Sequence, residues 1–383
     1  MSIPSLHHTY APIMHFSRGE NFHPMSVADF LTYSALHAKG AEKPLVPRGA
    51  LSPTGLAPRR RHTETFLRSV DAGPFEGAEV VRQWSAATLR LLYDWMQKPT
   101  LAWSESLARQ AYEWFSDKTR DATKLFWWND LLFRGLNKNR LSREDLPRFH
   151  LPDDVRQSAL AAYQESQSPH ANFTYYYRMV AHGGYLNLQY WFFYAYNDWA
   201  NGFGGFNDHE GDWEGLQLFF KFDGDRVIEP PAFITYLGHH SRITKPWQHR
   251  EVEKQGTHPV VYVAAGSHAS YPNARQYPLM AFYNLVDYAT GDDFTLDYDA
   301  WRSRIHLDEA PWLLDYRGSW GTRYWLNVRS LLDMLALVGF RPPQLPKELS
   351  LPGVSAPRGP RFDDEGRERA TWNRALDFAG IGA

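Results

Sequence analysis

Hydrophobic and polar positions alternate with different periods in different parts of the chain. Between about 79 and 136, apolar residues recur at three- and four-residue spacing. Leu89, Leu92, Trp95 and Met96 do so clearly, and Leu107, Tyr112, Trp114 and Phe115 less regularly, before "KLFWWNDLLF". A stripe of that period marks amphipathic helices, and two or three are predicted here. "LPDDVRQSALAAYQES" predicts another helix, with Pro152 near its first turn and Asp153 and Asp154 at the positive end of its dipole. After Pro169 the runs become short, aromatic and β-branched: "NFTYYYRMV", "YLNLQYWFFYAYN", "EGLQLFFKF", "PAFITYL" and "HPVVYVAAG", separated by "HGG", "NGFGG" and "FDGD". Such runs between turn residues predict an antiparallel sheet or sandwich, and Asp-Gly in "FDGD" suits a type I′ hairpin.

The ends are mixed. "YAPIMHF" reads as a strand and "HPMSVADFLTYSAL" as a helix with Ser26 at its N-cap. Residues 39 to 60 are rich in Pro, Gly and Arg and read as a linker or long loop. "SLLDMLALVGF" predicts a short helix, the following stretch is Pro-rich, and "EGRERATWNRALDF" predicts a terminal helix. The expected fold is mainly β, an antiparallel β-sandwich with an α-helical insertion, α+β overall. Residues 1–38 would join the sandwich as a strand and helix, and 39–165 would form linker and insertion. The sandwich itself would span 166–340, with 341–383 packing on it as a Pro-rich tail and helix.

Composition narrows the function classes. The 383 residues carry a formal net charge of −2, which argues against a nucleic-acid binder. The basic run Arg59-Arg60-Arg61 sits in a Pro/Gly-rich stretch and reads as a solvated loop. No cysteine is present, so disulfides, thiolate metal sites and cysteine nucleophiles are excluded. The first residues show no charged segment leading into an apolar one, and no stretch is apolar for long enough to span a bilayer. The expectation is a cytoplasmic protein without a transmembrane segment, with non-classical export left open. Aromatic residues make up 15%, a share that suits large cores, sugar-binding surfaces and peripheral membrane contact alike.

The densest chemistry lies in "NDHEGDWEGLQLFF", residues 207 to 220. If a strand starts here, alternation puts Asp212 and Glu214 on one face with Leu216, Leu218 and Phe220, and Trp213, Gln217 and Phe219 on the other. Two carboxylates on an apolar row need a cation or basic partners, because an unpaired buried charge costs several kcal/mol. His209, expected in the preceding turn, would complete an N/O ligand set with them. Asp198, after "YWFFYAYN", could join from the neighbouring strand end. Asp208 and Glu210 read as solvated. A salt-bridged rim with Arg or Lys is the plainer alternative. "VVYVAAGSHASYP" ends a further strand at His268, among small residues, and "YLGHHSRITKPW" ends one at His239 and His240. Neither a Gly-x-Ser-x-Gly elbow nor a phosphate loop is present.

These motifs resemble a known family. "YAPIMHFSRGENFHPMSV", "LQYWFFYAYN", "HEGDWEGLQL", "HHS", "HPVVYVAAGSHASYP", "YRGSWG" and "SAPRGPRF" are similar, in order, to the vacuolar protein sorting-associated protein sixty-two family. The resemblance covers residues 10 to 33 and about 172 to 360. The helical stretch of about 60 to 165 falls outside it. The His-x-x-Asp-Trp-Glu block is also similar to one in the necrosis- and ethylene-inducing peptide-like proteins. That similarity implies a β-sandwich holding a divalent cation through His209, Asp212, Glu214 and Asp198.

Two functions follow as expectations. One is a metal-dependent enzyme, a hydrolase or a lyase or cyclase, in which the ion acts as Lewis acid or water activator. His240 and His268 would then exchange protons, and Trp191, Tyr196, Trp213 and Tyr271 would shape the pocket for a small molecule, lipid or glycan. The other is a metal-dependent lipid-headgroup or glycan-binding protein, or a membrane-active effector. A purely structural ion is a third use of the same ligands. Oxygen ligands favour Mg or Ca, and a second histidine would move the choice toward Zn, Mn or Fe.

Overall fold

The structure, a computed structural model, describes residues 5–70, 153–167, 171–198, 208–238, 242–278, 286–322, 325–327, 348–350, 356–363 and 366–381. The helical stretch of 79 to 136, the "NGFGG" loop, His239, His240 and the "SLLDMLALVGF" helix lie outside these residues.

The strands run β1 (Ile13–Phe16), β2 (Ala35–Ala38), β3 (Thr65–Arg68), β4 (Thr174–His182), β5 (Tyr185–Asn197), β6 (His209–Phe222), β7 (Val227–Leu237) and β8 (Arg242–Pro246). After them come β9 (Lys254–Gln255), β10 (His258–Val263), β11 (Ser270–Tyr271), β12 (Arg275–Pro278), β13 (Val286–Ala289), β14 (Thr295–Leu296) and β15 (Ser303–His306). The chain is mainly β among the described residues, with few and mostly short helices.

The largest sheet has the order β15-β4-β5-β6-β7-β8. Strands β4 to β8 form an antiparallel meander, as the spacing of turn residues predicts, while β15 adds to its edge in parallel. Gly183 and Gly184, with φ of +57° and +76°, close the two-residue hairpin between β4 and β5. The "FDGD" hairpin joins β6 to β7, with Gly224 at φ +100° and Asp223 bonded to Arg226.

Period-two alternation sorts the faces of this sheet. Leu186, Leu188, Tyr190, Phe192 and Tyr194 of β5 share one core with Leu216, Leu218 and Phe220 of β6 and Ile234 and Tyr236 of β7. Side chains of a second sheet complete that core: Met14 and Phe16 of β1, Val261 and Val263 of β10, and Leu296 of β14. Full burial of each such side chain contributes about 1.5–3 kcal/mol. The second sheet has the order β11-β10-β1-β14, and β1 and β10 pair in parallel, a departure from the expected antiparallel sandwich. Parallel pairing sends the ends of β1 and β10 out on the same side. That geometry assembles the site.

On the opposite face, Trp191 and Phe193 of β5 and Trp213 of β6 pack with Phe22, Phe30, Leu51, Leu56, Leu67 and Trp320. Residues 39 to 60 are therefore not a free linker. Leu51 and Leu56 are buried, Ser52 caps the short helix Pro53–Leu56, and β2 pairs with β3 on either side of the stretch. Ser26 caps the helix Val27–Thr32 by accepting from the Asp29 amide at 3.4 Å, as predicted. The helix Asp153–Gln167 also forms where expected, and Ala159 and Tyr163 are buried in the same core. The terminal helix is instead two short pieces, Ala370–Asn373 and Ala375–Ala379, whose Trp372 and Ala379 are buried. None of the described helices is long and apolar enough to cross a membrane.

Candidate functional site

Three chain segments meet where β1, β10 and the start of β6 come together. The first is the loop after β1, which carries Glu20. Glu20 Oε1 accepts from the amides of Asn21 at 3.0 Å and Phe22 at 2.9 Å, and Oε2 accepts from the Gly266 amide at 2.7 Å. The second is the turn from β10 to β11. The Ala264 amide bonds the Ala269 carbonyl and the His268 amide bonds the Ala264 carbonyl, both at 3.0 Å, so the chain reverses within a few residues. Gly266 takes φ +75° there and His268 φ +55°, a left-handed conformation that costs a non-glycine residue about 1–3 kcal/mol. The third is β6, which brings Asp212 opposite Tyr194 of β5.

His268 joins them. Its Nδ1 lies 2.9 Å from Asp212 Oδ2 and its Nε2 lies 3.3 Å from Glu20 Oε1. Tyr194 stacks on the ring, with centroids 3.9 Å apart and planes 6° from parallel. His268 is 0% exposed. With a carboxylate at each nitrogen, the ring is an imidazolium donating in both directions. Burial alone would push its pKa down, but the charges and hydrogen bonds of Glu20 and Asp212 outweigh it and raise it to about 10. Burial likewise opposes ionisation of Glu20, but His268 overcomes it and holds Glu20 below its ordinary value.

Asp212 is held on both oxygens. Oδ1 accepts from the Trp213 amide at 2.9 Å, and Oδ2 from His268 and from Asn197 Nδ2 at 3.3 Å. Glu214 is 3% exposed and faces Phe192 across the strands. Asp212 and Glu214 share the inward row, as alternation predicts. Asp198 directly follows β5. Its Oδ2 accepts from Arg156 of the helix Asp153–Gln167 at 3.3 Å, and its Oδ1 is buried with no hydrogen-bond partner among the described residues. Burial raises the Asp198 pKa against the pull of Arg156.

Several expectations change. His209 is the first residue of β6, not part of a turn, and its Nδ1 lies 3.0 Å from the Gly211 carbonyl oxygen. Asp208 and Glu210 are buried, not solvated. Glu210 accepts from the Ser69 amide and hydroxyl, the Val70 amide, and the Thr322 amide and hydroxyl, which ties two distant segments to β6. Trp191, Tyr196, Trp213 and Tyr271, expected to line a pocket, are all buried. The first three belong to the core on the far face, and Tyr271 donates to Asp287 at 2.6 Å. His268, expected to exchange protons, is enclosed between the carboxylates of Asp212 and Glu20. His240 lies outside the described residues.

Glu20, Tyr194, Asn197 and Arg156 went unnoticed in the sequence. For Glu20 a signal existed: it follows β1 by four residues, in "SRGENF", much as His268 follows β10 by five. Only parallel pairing makes those offsets meaningful.

As a metal centre, the donor set fits a hard divalent cation in type, and Asp198 offers a buried oxygen without a donor. Among the described residues, however, no three such groups already close round a common point.

No family model matches the chain, and no curated protein matches it either. The resemblance to the vacuolar protein sorting-associated family therefore finds no counterpart in these comparisons. Several solved structures are similar to part of it. Necrosis and Ethylene inducing Protein 2 from the causal agent of cocoa's Witches Broom disease is 14% identical, covering 43% of this chain and 67% of its own, with a TM-score of 0.24. NLPPya in complex with glucosamine is 12% identical over 23% of this chain and 37% of its own, with a TM-score of 0.19. NLPPya in complex with mannosamine is 11% identical over 37% and 56%, with a TM-score of 0.23. This chain thus spans between about a third and two thirds of their lengths.

Proposed function

We propose that this chain is a divalent-cation-dependent binding protein for an oxygen-rich ligand, a lipid headgroup or a glycan, on a β-sandwich frame. Asp198, His209, Asp212 and Glu214 would hold the ion. The bound ion would supply positive charge and open coordination positions for phosphate or hydroxyl oxygens. The observation that carries this reading is Asp198 Oδ1, buried beside Glu20 with no hydrogen-bond partner among the described residues. A buried carboxylate oxygen without a donor is either protonated or matched by a further donor or cation. Mg or Ca suits the oxygens, and Zn, Mn or Fe becomes competitive if His209 binds through Nε2.

Metal-dependent hydrolysis or elimination is the second reading, and it would need a proton-passing group beside the ion. Calorimetry on chelator-stripped protein tests the proposal. Mg²⁺ or Ca²⁺ should bind, and Asp198→Asn or Glu214→Gln should weaken binding at least about ten-fold, in line with the loss of one charged ligand. Cosedimentation with anionic vesicles and capture on immobilised glycans should then depend on the ion. Absence of binding heat, together with a melting temperature indifferent to divalent ions, would sink it.

A further inference from the structure

We propose that Glu20 is a positioning residue for this site, acting through His268 to fix the orientation of the Asp212 carboxylate. The inference rests on the cation reading above for its functional meaning, but its geometry stands alone. The Gly266 amide fixes Glu20 Oε2 at 2.7 Å, and the Asn21 and Phe22 amides fix Oε1. Oε1 then meets His268 Nε2 at 3.3 Å, and His268 Nδ1 meets Asp212 Oδ2 at 2.9 Å. Tyr194 stacks flat on the ring and prevents it from tipping. The chain of contacts therefore has no loose joint between the loop after β1 and β6.

Its effect on Asp212 is specific. With the Trp213 amide on Oδ1 and His268 and Asn197 on Oδ2, the plane of the carboxylate is set. The two side-chain donors occupy the lone pairs of Oδ2, so an ion would approach the carboxylate through Oδ1. Groups that hold a ligand from behind in this way govern metal affinity nearly as strongly as the ligands do. Removing Glu20 would free the far side of the ring, let it rotate, and release Asp212 without touching any oxygen proposed to meet the ion.

A plain structural clamp between the two sheets would use the same atoms, so the test must separate stability from orientation. Glu20→Gln should weaken Mg²⁺ or Ca²⁺ binding about ten-fold by calorimetry, the lower end of such effects. Glu20→Asp should recover part of that loss. Val261→Ala, a fully buried core change outside the site, serves as the stability control and should bind as the wild type does. Nuclear magnetic resonance of the ion-free protein adds a second readout. The His268 ring carbon-bound proton signals should be sharp in the wild type, and Glu20→Gln should shift or broaden them as the ring loses its fixed orientation. The proposal is overturned if Glu20→Gln binds ions like the wild type, if Val261→Ala loses as much, or if the His268 ring signals are the same in Glu20→Gln as in the wild type. If the ring signals change in Glu20→Gln but wild type binds no ion, the cation reading falls and the Glu20–His268–Asp212 orientation stands.

Discussion

Gly211 shows how one backbone angle rearranges a strand. Its φ of +63° interrupts the pleat of β6, and a Cβ built there would overlap the Trp320 carbonyl. Gly224, with φ +100°, has nothing within 4 Å of such an atom. Gly224→Ala should cost about 1–2 kcal/mol, the conformational penalty alone. Gly211→Ala should cost clearly more, about 3 kcal/mol or above, because strain and overlap add; urea denaturation of the two variants checks the order. His7 offers a second test. Burial, then the neighbouring charges of His8, Arg304 and His306, lower its pKa to about 4. Its ring stacks on Tyr177 at 3.7 Å, and its Nδ1–H donates to Tyr175 Oη, which itself donates to the His7 carbonyl. A histidine kept neutral by folding stabilises fully above its unfolded value of 6.5. That contribution falls away as pH drops from 6.5 toward 4. His7→Phe keeps the stack and removes the proton site, so its stability should decline less between pH 6.5 and 4 in denaturation curves.

Between elements, a few polar side chains do what apolar contact alone does not: they fix register. Glu210 binds five donors from residues 69–70 and 322, so one carboxylate docks two segments far apart in sequence. Glu210→Ala should cost about 3–5 kcal/mol, since buried donors to a charged acceptor would be left unmatched. Faster amide exchange at Ser69, Val70 and Thr322 would locate that loss. Much at this scale was readable beforehand. Strand alternation placed Asp212 and Glu214 together, paired glycines closed the β4–β5 hairpin, and Ser26 capped its helix, all because these effects are local. The aromatic residues misled for the opposite reason. Trp191, Tyr196 and Trp213 have the right types for a ligand pocket, but burial is decided by what packs over them, and the packing partners come from residues 22 to 67. The offset of Glu20 after β1 could not be read as a signal, because it gains meaning only from a parallel pairing between strands about 245 residues apart.

Across the whole molecule, the outer face of the large sheet carries a polar row, Arg178, Gln189, Gln217, Thr235 and Thr244, cross-strand neighbours from β4 to β8. The C-terminal segment covers part of it. The Thr371 carbonyl accepts from Gln217 at 2.8 Å, Trp372 lies under the Arg178 guanidinium at 4.2 Å, and Ala379 and Ile381 pack on Phe219. A chain ending at Asp363 should lose about 3 kcal/mol or more of stability, the burial of two large side chains. Its urea midpoint should fall accordingly, and the amides of β5 and β6 should exchange faster.

The parallel contact of β1 with β10 has a consequence for biogenesis. During synthesis Glu20 emerges early and Asp212 much later, but their shared counter-charge, His268, follows only after both. Until then the nascent chain holds carboxylates destined for burial with no imidazolium between them, so the two-sheet core has reason to close late. Long-range closure of this kind is slow and leaves strand edges open in the interval. Translation itself thus sets the order of events: β4 to β8 can form their meander while the ribosome is still working, and the first strand waits for the tenth.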